Sequence, residues 1–179
     1  MIKRILWGMA LAGCALAGMA AEPRAQPRAG DIPPPMLGKL HGSGTEVNLE
    51  NYRGKVIIVT FWASWCGPCR RELPVLSHFQ QVVGHEALEV IAVNFKEPRA
   101  DFVGLLRANR KLDMGFVHDA KGVASDEYGV ESLPNMFVID REGKIAYVHR
   151  GYSEEMLEGF IAEIMGLLPE EVLNSPSNI

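Results

Sequence analysis

The chain has 179 residues, 47% hydrophobic and 22% charged, with a formal net charge of −4. That length supports one domain, and the composition excludes a disordered chain and a multi-span membrane protein. No run of Lys and Arg exceeds a pair, which leaves nucleic-acid binding without an electrostatic basis, and the three cysteines exclude a disulfide-rich scaffold and a four-Cys zinc site.

Residues 1–21 have the pattern of an export signal: Lys3 and Arg4, an apolar stretch from Ile5 to Ala21, and small residues for cleavage after Ala20 or Ala21. Loss of Lys3 and Arg4 would take the net charge from −4 to −6. Two other readings stay open. The stretch is at the lower length limit for an uncleaved membrane anchor, and Leu11-Ala12-Gly13-Cys14 resembles a lipobox, in which Cys14 would be lipidated. All three readings export the rest of the chain.

Residues 22–36 are rich in proline, including Pro33-Pro34-Pro35, and are expected to be an extended linker. The domain is expected over 37–168. Thr45 to Leu49 alternates as a short edge strand, and Lys55 to Trp62 is a β-branched and aromatic run suited to a strand covered on both faces. Leu73, Leu76, Phe79 and Val83 predict an amphipathic helix over 70–83, kinked at Pro74 and ended by Gly84. Leu88 to Phe95 predicts a second buried strand. Pro98 opens a helix with Phe102, Leu105, Leu106 and Leu112 on its apolar face; a strand at Phe116-Val117 and a one-turn helix over 123–128 come next.

Asn135 to Asp140 and Lys144 to Val148, joined through Gly143, predict a hairpin. Ser153 is placed to cap a last helix with Leu157, Phe160, Ile161 and Ile164 inward. The polar tail 169–179 is expected to fray. The element order describes an α/β fold, a central mixed sheet with helices on both faces.

Cys66-Gly67-Pro68-Cys69 lies between the end of an apolar strand and the start of a helix. Backbone N–H groups at a helix N-terminus stabilise an anion, so a Cys66 thiolate is favoured there and nucleophilic near neutral pH. The two-residue spacing puts Cys69 within disulfide reach, and Pro68 lacks a donor that would have no partner in the first turn. A bridge across so short a loop restricts the unfolded chain little, which favours redox chemistry over a structural staple.

Phe61-Trp62-Ala63-Ser64-Trp65-Cys66-Gly67-Pro68-Cys69 resembles the active site of the thioredoxin superfamily. Pro74 matches the kink proline of that family's active-site helix, and Leu133-Pro134 before Asn135 to Asp140 resembles its cis-proline segment. The resemblance covers Met36 to Leu168 and is closest to the exported TlpA/ResA-like branch, whose extra helix and strand before the cis-proline correspond to Pro98 to Val117. It implies a thioredoxin-like fold and a disulfide reductase of the bacterial envelope or periplasm, in some members serving cytochrome c maturation. It also implies protein disulfide substrates and a membrane thiol transporter as electron donor.

On this resemblance Cys66 attacks, Cys69 resolves, and Pro134 with Leu133 lies against the pair, while Trp65, Gly67 and Pro68 form the docking surface. Cytosolic thioredoxins bury an Asp where Thr60 stands. In the ResA-like branch a Glu after the second strand approaches the cysteines instead, a place that Glu97 fits as acceptor for the Cys69 proton. No metal, and no cofactor beyond the Cys66–Cys69 redox pair, is expected, and a monomer is expected. The rival is a Cu(I)-handling protein using both thiolates as soft ligands, although such relatives space their cysteines more widely and add a histidine.

Overall fold

A computed structural model describes residues 25–174. The leader, with Lys3, Arg4 and Cys14, and the end of the tail lie outside the described residues. The element order is β1 (Met36–Lys39), β2 (Glu46–Asn48), β3 (Val56–Trp62), α1 (Gly67–Val83), β4 (Leu88–Phe95), α2 (Arg99–Ala108), β5 (Gly115–Asp119), α3 (Val123–Glu127), β6 (Asn135–Ile139), β7 (Ile145–Arg150), α4 (Leu157–Met165) and α5 (Glu170–Leu173).

Five strands form the central sheet in the order β5-β4-β3-β6-β7. The pairs β3–β4 and β4–β5 are parallel, whereas β3–β6 and β6–β7 are antiparallel. The β-branched run at the start of β3 explains its central place, since all seven of its residues are buried. Its side chains alternate between faces. Ile57, Val59 and Phe61 join a core closed by α3 and by the antiparallel pair β1–β2, through Ala124, Leu37 and Val47. Val56 and Ile58 meet Leu76 of α1 and Phe160 and Ile164 of α4 on the opposite face. Trp62, further along that second face, packs with Cys66, Cys69, Leu73 and Phe102 of α2.

The insert expected before the cis-proline is α2 with β5; Phe102 is fully buried, and β5 extends the sheet beside β4. Several local expectations change. Helix α1 starts at Gly67 with Cys66 as its N-cap, where the Cys66–Cys69 motif places the helix start and ahead of the apolar stripe over 70–83. Strand β1 lies outside the runs that sequence pattern marks as strand; it pairs with β2 around a register shift between Met36 and Gly38, which has φ +110°. Ser153 makes no side-chain capping bond, and a 3-10 turn, Glu154–Met156, leads into α4. Within the tail, residues 170–173 form α5, and Val172 packs on the α1–α4 core.

The proline-rich stretch runs extended against the domain. Gly30 N–H donates to the Ile145 carbonyl at 2.7 Å, Ile145 N–H donates to the Asp31 carbonyl at 2.9 Å, and Tyr128 Oη donates to the Pro34 carbonyl at 2.9 Å. No helix among the described residues is long and apolar enough to cross a membrane.

Candidate active site

Strand β3 delivers the chain to the N-terminus of α1, where Cys66 has an extended conformation (φ −80°, ψ 104°) and its Sγ accepts from the Cys69 N–H at 3.2 Å. Gly67 and Pro68 occupy the first two helical positions, where Pro has no internal bond to lose. Cys66 and Cys69 are joined as a disulfide with a Cα–Cα distance of 5.3 Å. The two cysteines differ slightly in access: Cys66 is 5% exposed and Cys69 0%. An incoming disulfide therefore meets Cys66, and Cys69 is reached only from within.

The remaining residues expected at the site fall around this pair. Trp65 is 68% exposed and stands beside the disulfide as surface. Leu133 packs against the cluster that holds both cysteines, and the Leu133–Pro134 peptide bond is cis. The Pro134 carbonyl accepts from the Gly151 N–H at 2.8 Å, which ties this loop to the end of β7.

Glu97 is 4% exposed, in the turn after β4. Its Oε2 accepts from the Ser64 N–H at 2.8 Å and from Asn94 Nδ2, and its Oε1 accepts from Ser64 Oγ at 2.6 Å. Both carboxylate oxygens thus hold the loop that ends in Cys66. The turn is itself anchored, since the Glu97 carbonyl lies 2.8 Å from His118 Nε2, whose ring stacks on Phe102 with centroids 4.8 Å apart.

A second carboxyl is not evident from sequence. Glu72 lies one turn beyond Cys69 on the buried side of α1 and is 1% exposed. Thr60 Oγ1 donates to its Oε2 at 2.7 Å, and its Oε1 is buried without a partner. Burial pushes the Glu72 carboxyl up to about 7, with the Thr60 bond acting in the opposite direction. The signal for it is helical spacing, because Cys69, Glu72, Leu73 and Leu76 share one face. An apolar stripe by itself does not mark a Glu among its members.

This combination pairs an outer cysteine that retains slight access with a sealed one, and places a buried carboxyl with a raised pKa three residues past Cys69 on the same helix face. The Redoxin family model matches residues 17–162 of the chain. The thiol-disulfide oxidoreductase ResA of Geobacillus thermodenitrificans (strain NG80-2) is 34% identical over 108 residues, covering 60% of this chain and 62% of that protein. The match thus spans less than two thirds of the relative's length. Among solved structures, a Chlorobium tepidum protein assigned as the thiol:disulfide interchange protein DsbE superposes with a TM-score of 0.70 at 30% identity, covering 80% of this chain and 99% of that one. The exposed lipoprotein thioredoxin Etrx1 of Streptococcus pneumoniae strain TIGR4 gives a TM-score of 0.61 at 27% identity, covering 74% and 98%. The extent of the family match, together with a mixed sheet carrying an extra helix and strand before the cis-proline, shows that the chain belongs to the Redoxin family, within the TlpA/ResA-like group of thioredoxin-fold proteins.

Proposed function

We propose that the protein is a thiol-disulfide oxidoreductase working in the reducing direction on disulfides of exported proteins. The observation that carries this reading is the asymmetric Cys66–Cys69 disulfide at the N-terminus of α1, with the outer sulfur capping the helix and the inner one sealed.

In the reduced protein the Cys66 thiolate attacks a substrate disulfide, forms a mixed disulfide and releases one substrate sulfur as thiolate, which takes a proton from solvent. Glu72 accepts the Cys69 proton. The Cys69 thiolate then attacks Cys66 Sγ, which expels the second substrate thiolate and closes the Cys66–Cys69 bond. Two electrons pass to the substrate, and a thiol donor later returns them. Glu97 positions the loop through Ser64, while Pro134, Leu133 and exposed Trp65 receive the partner chain.

Export is supported by the leader sequence over 1–21. The similarity to an exposed lipoprotein supports Cys14 as a lipid anchor, which would tether a monomeric domain at the cell envelope. The donor is then a membrane thiol transporter, and proteins undergoing cytochrome c maturation are a client class.

A Cys69→Ser variant tests the reading, because it leaves Cys66 without its resolving partner. It should accumulate mixed disulfides with envelope proteins that reductant releases. Absence of any such adduct, together with tight Cu(I) binding by the reduced wild type, would establish the copper-handling rival instead.

A further inference from the structure

The exchange steps make no use of a groove that opens beside Gly67 and runs between α1 and the end of α2. It has two continuous compartments of about 360 and 490 Å³, which share Pro74, Asn109 and Leu112. Leu105 and Leu112, both half-buried, supply apolar surface. Its charged groups are all basic: Arg70 and Arg71 from α1, and Arg107, Arg110 and Lys111 from the end of α2 and the turn after it. No Asp or Glu lines either compartment. All five cations are exposed, and among the described residues none forms an ion pair.

This segregation runs against the composition, in which 22 acidic residues outnumber 18 basic ones. Two separate elements bring cations to one groove, where they repel one another until an anion enters. The length decides what kind of anion fits. From Gly67 to Gln81 the helix rises roughly 20 Å, a span that a single phosphate or carboxylate leaves mostly empty. An extended peptide fills it with about six residues.

We propose that this groove docks an acidic segment of the substrate protein, adjacent to the disulfide that Cys66 attacks. The proposal rests on the exchange reading above and assigns that site a substrate class. Charge pairing along the groove speeds encounter and sets which side of the substrate faces Cys66.

Two synthetic peptides with one common disulfide loop test it, one continued by four glutamates and the other by four serines. At low ionic strength the reduced protein should exchange with the glutamate peptide about tenfold faster. The ratio should fall to about one in 1 M salt, where the screening length is about 3 Å. It should also fall in an R107Q/R110Q/K111Q variant, whose changes lie outside the exchange machinery, and persist in K121Q/R141Q/K144Q, which removes equal charge elsewhere. Equal wild-type rates, or an equal fall in both variants, would overturn the groove and leave the exchange reading standing. No exchange with either peptide would overturn the exchange reading, and the groove with it.

Discussion

Thr60 Oγ1 donates a 2.7 Å hydrogen bond to Glu72 Oε2 across the interface between β3 and α1, with both residues buried. The alternation of β3 makes this contact. Thr60 lies between Ile58 and Trp62, which face the α1 side, so its hydroxyl reaches the helix. The strand position where cytosolic thioredoxins bury an acid carries a hydroxyl, and the helix one turn past Cys69 supplies a buried acid. A buried carboxyl is thus present on α1, hydrogen-bonded to that strand position.

The kinetic consequence concerns resolution. Glu72→Gln keeps the size and an acceptor for Thr60 but cannot take the Cys69 proton. Closure of the mixed disulfide should slow by about 100-fold at neutral pH, the lower end of general-base contributions. The inflection near the Glu72 value of about 7 should also disappear from the rate–pH profile. Stopped-flow measurement across pH 5–9 checks both. A slowed reaction with an unchanged profile would assign Glu72 a packing role only.

Stability should carry the same signature. Between about 4.5 and about 7 the folded protein holds a Glu72 proton that the unfolded chain releases. The native state therefore binds more protons, and this group's contribution to stability is lost as pH rises through that window. Denaturant unfolding of the oxidised wild type and Glu72→Gln at pH 4 and pH 8 should show their difference changing by on the order of 3 kcal/mol in favour of the variant. Parallel curves would contradict the burial of an uncompensated acid.

Glu97 should behave differently. Its carboxylate accepts from Ser64 twice and from Asn94 once, and charge-assisted bonds of this kind contribute about 1.5–3 kcal/mol each. Glu97→Gln retains some of these acceptors and should lose about 2 kcal/mol of stability, read from the denaturation midpoint. Exchange should slow because the loop before Cys66 loosens, while the inflection near 7 stays. Movement of that inflection in Glu97→Gln, and not in Glu72→Gln, would return the proton-acceptor role to Glu97.

The buried strands were legible because continuous apolar runs have few alternatives. Leu88 to Phe95 is β4 at both ends, and Val56 to Trp62 matches the β-branched and aromatic run of β3. The Cys66-Gly67-Pro68-Cys69 motif marked the start of α1 where its apolar stripe did not. Strand β1 was not legible, because it includes a Gly with positive φ just after three prolines. The groove escaped because Arg70-Arg71 and Arg107 to Lys111 are far apart in sequence and meet only when α2 packs beside α1. Glu72 escaped for the reason that makes it useful, being a charged residue type in an apolar position.

An equilibrium titration of the Cys66–Cys69 pair against glutathione tests the central claim most directly. The account predicts a reduction potential in the range of reducing thioredoxins, near about −270 mV. A value near about −120 mV, that of a strong periplasmic oxidant, would contradict the reducing direction.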